Sequence, residues 1–172
     1  MAETILQAPN AKHAPLRLRF ERAPERIAVF RALHLGDLLC AVPALRALRA
    51  AFPRARVTLV GLPWAEEFAR RFGHYIDDFL PFPGGRGLPE RDAAASETEA
   101  YERAVRARRF DLALQLHGDG RYANAIVRAM NARHVAGFHP VGAHCPDPDW
   151  FLPNPETESE VRRLLRLLEF IG

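Results

Sequence analysis

Short apolar runs alternate with longer stretches of helical spacing along most of this chain, and that alternation restricts the fold more than any other feature. Residues 26–31, 56–61, 76–82, 111–116 and 135–138 each read as a strand. Helical patterns lie between them, over residues 38–52, 63–72, 97–108 and 122–131. A last one follows, with Val161, Leu164, Leu165, Leu168 and Ile171 on one face. Thr157 and Glu160 have the spacing of a capping box before it. Strands separated by helices make βαβ units and a parallel sheet. Right-handed crossovers then cover both faces of that sheet. The fold class expected is therefore α/β: a Rossmann-like parallel sheet sandwiched by helices, in the order 3-2-1-4-5. Ligands bind such sheets beyond the carboxyl ends of the strands, where successive crossovers part to opposite sides. Here that point lies between strands one and four.

Two segments leave those strand ends. After strand one comes His34-Leu35-Gly36-Asp37-Leu38, and after strand four comes His117-Gly118-Asp119-Gly120-Arg121. Asp37 is the best candidate for a reactive group, because it places a carboxylate just past the first strand. The duller alternative is a helix cap, a common job for Asp. Gly36 allows close backbone approach or unusual dihedral angles. His34, His117, Gly118, Asp119 and Arg121 are candidates for contacting a ligand, with loop polarity and turn formation as their alternative. Pro43 either kinks the helix that follows or marks its true start.

Several function classes lose support. The 24 basic residues are interspersed with 21 acidic ones, so no basic arm suggests nucleic acid. No Gly-x-Gly-x-x-Gly follows strand one and no Gly-x-Ser-x-Gly elbow is present, against a dinucleotide dehydrogenase and a hydrolase. His134, His139, His144 and Cys145 match no standard zinc spacing. Asp147-Pro148-Asp149 falls in residues 140–155, which read as irregular and proline-rich, and no metal is expected. Trp64, Phe68 and Phe72 are spaced as core residues of a helix. Arg86, Arg91, Arg106, Arg108 and Arg109 either attract an anionic ligand or form a solvated face.

Residues 1–25 read as an N-terminal tail with an extended piece over 16–20, and residues 26–172 as one domain. Two distant cysteines suggest no disulfide framework, and no window resembles a signal peptide or a span of about 20 apolar residues. A cytoplasmic location is expected, with contact at the inner face of the membrane left open.

The run from Arg31 to Pro53 resembles the opening of family 9 glycosyltransferases, which include the ADP-heptose:lipopolysaccharide heptosyltransferases. Gly36-Asp37, Pro43-Ala44-Leu45 and Phe52-Pro53 carry the likeness. Asp77-Asp78-Phe79-Leu80-Pro81 is similar to the family's third strand, and residues 110–118 to its fourth strand and loop. Residues 158–172 are similar to the helix closing its N-terminal domain.

The resemblance implies the N-terminal half of a GT-B enzyme, an acceptor-side domain whose C-terminal donor domain is absent from this chain. It implies inverting, metal-independent transfer of a heptose-like sugar to lipopolysaccharide or a related surface glycan, with Asp37 as general base. The partners implied are a glycan or lipid-linked sugar acceptor and a nucleotide-sugar donor such as ADP-heptose. That donor is a substrate held mainly by the missing domain, and no cofactor is implied. The isolated chain is then expected to be inactive. The rival reading is a stand-alone, non-catalytic binding or scaffold domain of doubly wound type.

Overall fold

The computed structural model describes residues 20–85, 88, 94–155 and 157–172. The expected extended piece at 16–19, and Arg86 and Arg91, lie outside the described residues.

Among the described residues six parallel strands form one sheet in the order β3-β2-β1-β4-β5-β6. They are β1 (Arg26–Phe30), β2 (Arg56–Gly61), β3 (Asp78–Pro81), β4 (Leu112–Gln115), β5 (His134–His139) and β6 (Phe151–Pro153). The expected order holds for the first five. The sixth corrects the irregular reading of residues 140–155: Phe151–Pro153 adds a short parallel strand to the β5 edge. A three-residue strand ending in proline is too short for alternation to show, and an edge is where proline is tolerated.

Among the described residues five helices pack on the sheet: α1 (Leu35–Ala51), α2 (Glu66–Arg71), α3 (Ala95–Arg108), α4 (Ala123–Ala129) and α5 (Glu160–Ile171). Residues 63–65 form a 3₁₀ turn before α2, with Pro63 at its start. β1 shows why there are two layers. Its Ile27 and Val29 side chains enter one core with Leu38, Leu45 and Leu48 of α1 and Leu164, Leu167 and Ile171 of α5. Ala28 and Phe30 point the other way, into a second core with Val105 of α3 and Val127 of α4. Side chains alternate across a strand, so a run apolar at every position is buried on both faces.

α1 and α2 lie on one face, while α3 and α4 lie on the other. The crossovers therefore change sides between β1 and β4, the topological switch point at which such sheets bind ligands. α1 begins at Leu35, a turn before the expected start, so Leu35-Gly36-Asp37-Leu38 is its first turn rather than a loop. Pro43 sits inside the helix and does not mark its start. The carbonyl that its missing N–H would have bonded belongs to Leu39, an exposed residue.

Candidate functional site

The segment after β1 is built on Arg31. Its backbone N–H still bonds to Val60 of β2 at 2.9 Å, and its side chain is 0% exposed. The guanidinium Nε donates to the Asp37 carbonyl at 2.8 Å, and Nη1 donates to the Leu116 carbonyl beyond β4. Nη2 donates to Glu160 Oε1 at 2.8 Å and lies 3.9 Å from Asp37 Oδ1. Glu160, at the start of α5, also accepts from Arg163 Nε at 2.9 Å and Nη2 at 2.6 Å. Arg163 Nη1 reaches back to the rim, donating to the Gly118 carbonyl at 2.7 Å and to Asn154 Oδ1 at 2.8 Å. Its guanidinium lies 4.7 Å from the centre of the Phe138 ring.

Burial alone pushes the Glu160 carboxyl up, but the hydrogen bonds from Arg163 and Arg31 outweigh it, and the net shift is below the usual carboxylate range. The capping box expected of Thr157 and Glu160 is not formed. Ser159 is the N-cap without a side-chain cap bond, and Glu160 is drawn to the two arginines instead.

Asp37 stands above this network. It is the third residue of α1, and its side chain is 41% exposed. The N-cap is His34, and no side chain caps α1, so the capping alternative for Asp37 is not what the structure has. Among the described residues the carboxylate accepts no hydrogen bond; its charged neighbour is Arg31 at 3.9 Å. Gly36 has no positive φ, and a Cβ there would meet nothing within 4 Å, so of its two readings only open approach survives. His34 is exposed.

Across the rim, His117 is 6% exposed. Its Nδ1 accepts the Ala32 N–H at 3.3 Å, and its ring lies beside Phe30 at 5.5 Å between centres. An accepting Nδ1 puts the proton of the neutral ring on Nε2. The His117 ring thus ties the two rim segments together. Gln115 does the same on the other side, donating to the His117 carbonyl while its Oε1 accepts the Phe138 N–H at 3.2 Å.

Gly118 (φ 56°) and Gly120 (φ 87°) are left-handed. At Gly120 a Cβ would come within 2.1 Å of the Phe138 carbonyl oxygen, so only glycine fits. Asp119 Oδ1 accepts the Arg121 N–H at 2.9 Å, and its Oδ2 lies 3.6 Å from Arg121 Nε. Asp119 and Arg121 therefore face each other at the surface.

The structure thus joins the neighbourhoods of Asp37 and Gly118 through three residues that sequence reasoning missed: Arg31, Glu160 and Arg163. One signal was available, because Arg31 ends a strand buried on both faces, and a charge there must find partners.

Other expectations do not converge on this rim. Arg106, Arg108 and Arg109 lie at the opposite edge, just before β4, where Arg106 pairs with Glu102 at 2.9 Å and Arg108 with Asp78 at 3.4 Å. His134 and His139 begin and end β5, about 16 Å apart along a strand. Among the described residues no three His, Cys, Asp or Glu side chains converge as a metal site. Trp64, expected in the core, is 44% exposed on the rim side of β2, whereas Phe68 is buried as expected. Leu35, Leu39, Tyr122 and Val141 are also large, apolar and exposed, and all follow carboxyl ends of strands.

Solved structures share the fold. The chain superposes on a family 9 glycosyltransferase from Veillonella parvula with a TM-score of 0.66 and 22% identity, over 86% of this chain and 41% of that one. This chain shares the fold of part of that structure. E. coli heptosyltransferase WaaC with ADP gives a TM-score of 0.56 and 16% identity, over 83% of this chain and 45% of that one. The same enzyme with ADP-2-deoxy-2-fluoro heptose gives 0.56 and 17%, over 83% and 46%. The chain spans less than half the length of each of these structures. No family model and no curated protein sequence matches it.

Proposed function

We propose that this chain is the acceptor-side domain of an inverting glycosyltransferase, with Asp37 as its general base. The observation that carries the reading is a half-exposed carboxylate, not engaged in capping, in the first turn of α1 at the switch point of the sheet. The similarity to glycosyltransferase structures supports it.

In the proposed step an acceptor hydroxyl oxygen attacks the anomeric carbon of a nucleotide-sugar. The bond from that carbon to the nucleoside diphosphate breaks on the opposite face, and the leaving group keeps the electron pair. The hydroxyl proton passes to an Asp37 carboxylate oxygen. A carboxylate is a weak base towards an alcohol, so this transfer comes late, once bond formation has acidified the attacking oxygen.

Gly36 and Gly118 leave room for a sugar to approach the backbone, and His34, Asp119 and Arg121 supply polar groups at the margin. The donor is a substrate, a nucleotide-sugar such as ADP-heptose, held mainly by a second domain. The acceptor is lipopolysaccharide or a related surface glycan, and the reaction belongs in the cytoplasm at the inner face of the membrane. The exposed Leu35, Trp64, Tyr122 and Val141 fit a rim that a donor domain covers.

The test pairs the chain with the donor domain of a family 9 enzyme. Asp37→Ala should cut transfer at least about 10²-fold, the usual lower bound of general-base help, with only a small shift in the unfolding midpoint. Wild-type transfer by that variant sinks the base assignment. Robust turnover by the chain alone sinks the acceptor-half reading.

A further inference from the structure

Arg31 carries three chain segments on one guanidinium: the first turn of α1 through the Asp37 carbonyl, the end of β4 through the Leu116 carbonyl, and α5 through Glu160. Glu160 passes the link to Arg163, which holds the Gly118 carbonyl. Two arginines and one glutamate leave one positive charge over, and among the described ion pairs Asp37 is the carboxylate that balances it. A buried cation is a poor way to gain stability, since well-packed apolar side chains commonly do as well. What it does provide is geometry. A guanidinium is a rigid planar fork that fixes its acceptors relative to one another, while a lysine ammonium is a single point charge on a flexible stem.

We propose that Arg31 is a positioning residue for this site: backed by Glu160 and Arg163, it sets the spacing between the Asp37 turn and the Gly118 loop. The proposal rests on the reading of Asp37 as the base. Displacing a reacting group by about 1 Å can cost on the order of 10²-fold in rate, so the effect should be visible in turnover.

The experiment has two arms. In the 172-residue chain, amide hydrogen exchange is followed for Arg31→Lys, Arg31→Met and Glu160→Gln. Exchange should quicken about tenfold or more over residues 32–38 and 116–120 in Arg31→Met and Glu160→Gln, less in Arg31→Lys, with β2 and α3 little changed. Should Arg31→Met fail to fold, the other two variants decide this arm.

In the second arm the chain is paired with a donor domain. Arg31→Lys should lower kcat about 10- to 100-fold with little change in acceptor KM. In the Asp37→Ala background the same change should cost nothing further, because Arg31 acts through Asp37; a merely structural role would add its own loss. Unchanged exchange in both loops, or a full additional loss in the double variant, overturns the proposal. If Asp37→Ala alone leaves transfer intact, the base reading falls, and the exchange arm still shows whether Arg31 sets the loop spacing.

Discussion

The two edges of the sheet use aspartate in opposite ways. At the amino edge, Asp111 Oδ2 accepts the backbone N–H groups of Glu25 and Arg26 at 2.9 and 2.8 Å. Asp77 Oδ2 accepts the Val57 N–H at 2.7 Å and is held by Arg49. Both carboxylates are occupied in closing the chain around the starts of strands. At the carboxyl edge, Asp37 accepts no hydrogen bond among the described residues. The arginine beneath it gives its Nε to the Asp37 backbone instead. A carboxylate used for structure is saturated with donors, while one available for chemistry keeps its lone pairs open. The same edge carries Leu35, Leu39, Trp64, Tyr122 and Val141 exposed.

The sharpest way to break this contrast is to remove each carboxylate in turn. Asp37→Ala should cost no more than about 1 kcal/mol, because it removes a half-exposed ion-pair partner 3.9 Å from Arg31 and no hydrogen bond among the described residues. Its main proposed cost is in transfer, about 10²- to 10⁴-fold with a donor domain supplied, the largest effect expected. Glu160→Ala should do the reverse, destabilising the chain by about 3–5 kcal/mol, because it strands Arg31 and Arg163 as buried charges. Asp111→Ala should cost about 1–2 kcal/mol by removing two charge-assisted hydrogen bonds to exposed backbone N–H groups, which water then takes over in part. Urea unfolding monitored by circular dichroism measures all three. Equal destabilisation by Asp37→Ala and Asp111→Ala would erase the distinction between the edges.

Acid sharpens it further. Glu160 has a folded-state pKa below the usual value, so the folded chain takes up its proton only at lower pH than the unfolded chain does. Its contribution is complete above about pH 4.5 and is lost as pH falls through the lower folded value. In Glu160→Gln that downward step should disappear from a plot of unfolding free energy against pH.

How much of this could be read beforehand follows from what each residue contacts. Strands β1, β2 and β4 were legible because burial on both faces makes them apolar at nearly every position, and α5 because its periodicity is strong. β6 was not, since three residues cannot show a period. The first turn of α1 looked like a loop because glycine and aspartate are poor helix interiors, yet both suit an open amino end. Asp37 could be nominated from its place after β1 alone. Its support could not, because Arg31 and Glu160 are 129 positions apart and Arg163 and Gly118 are 45 apart. Local pattern contains nothing about such partners. The His117 ring illustrates the same limit: a polar residue beyond a strand reads as a ligand contact, and only the fold shows it accepting the Ala32 N–H.

His134 offers the smallest test and locates it at the amino edge. Its ring lies against Trp150, with centres 4.7 Å apart, and against Phe20 at 5.4 Å. Burial, then the neighbouring Arg133 charge, pushes its pKa below the ordinary histidine value of 6.5. The unfolded chain therefore binds the proton first as pH falls. Stability is complete above about pH 6.5 and declines toward the lower folded value, in the sense opposite to a histidine held by a carboxylate. The step should be slight, because the ring is only partly buried, and it should vanish in His134→Asn. Since this histidine lies at the far end of β5 from the rim, that variant should leave transfer unaltered while it flattens the stability curve just below pH 6.5. A fall in transfer on replacing His134 would mean that the two edges are coupled, and the division of labour between them would have to be abandoned.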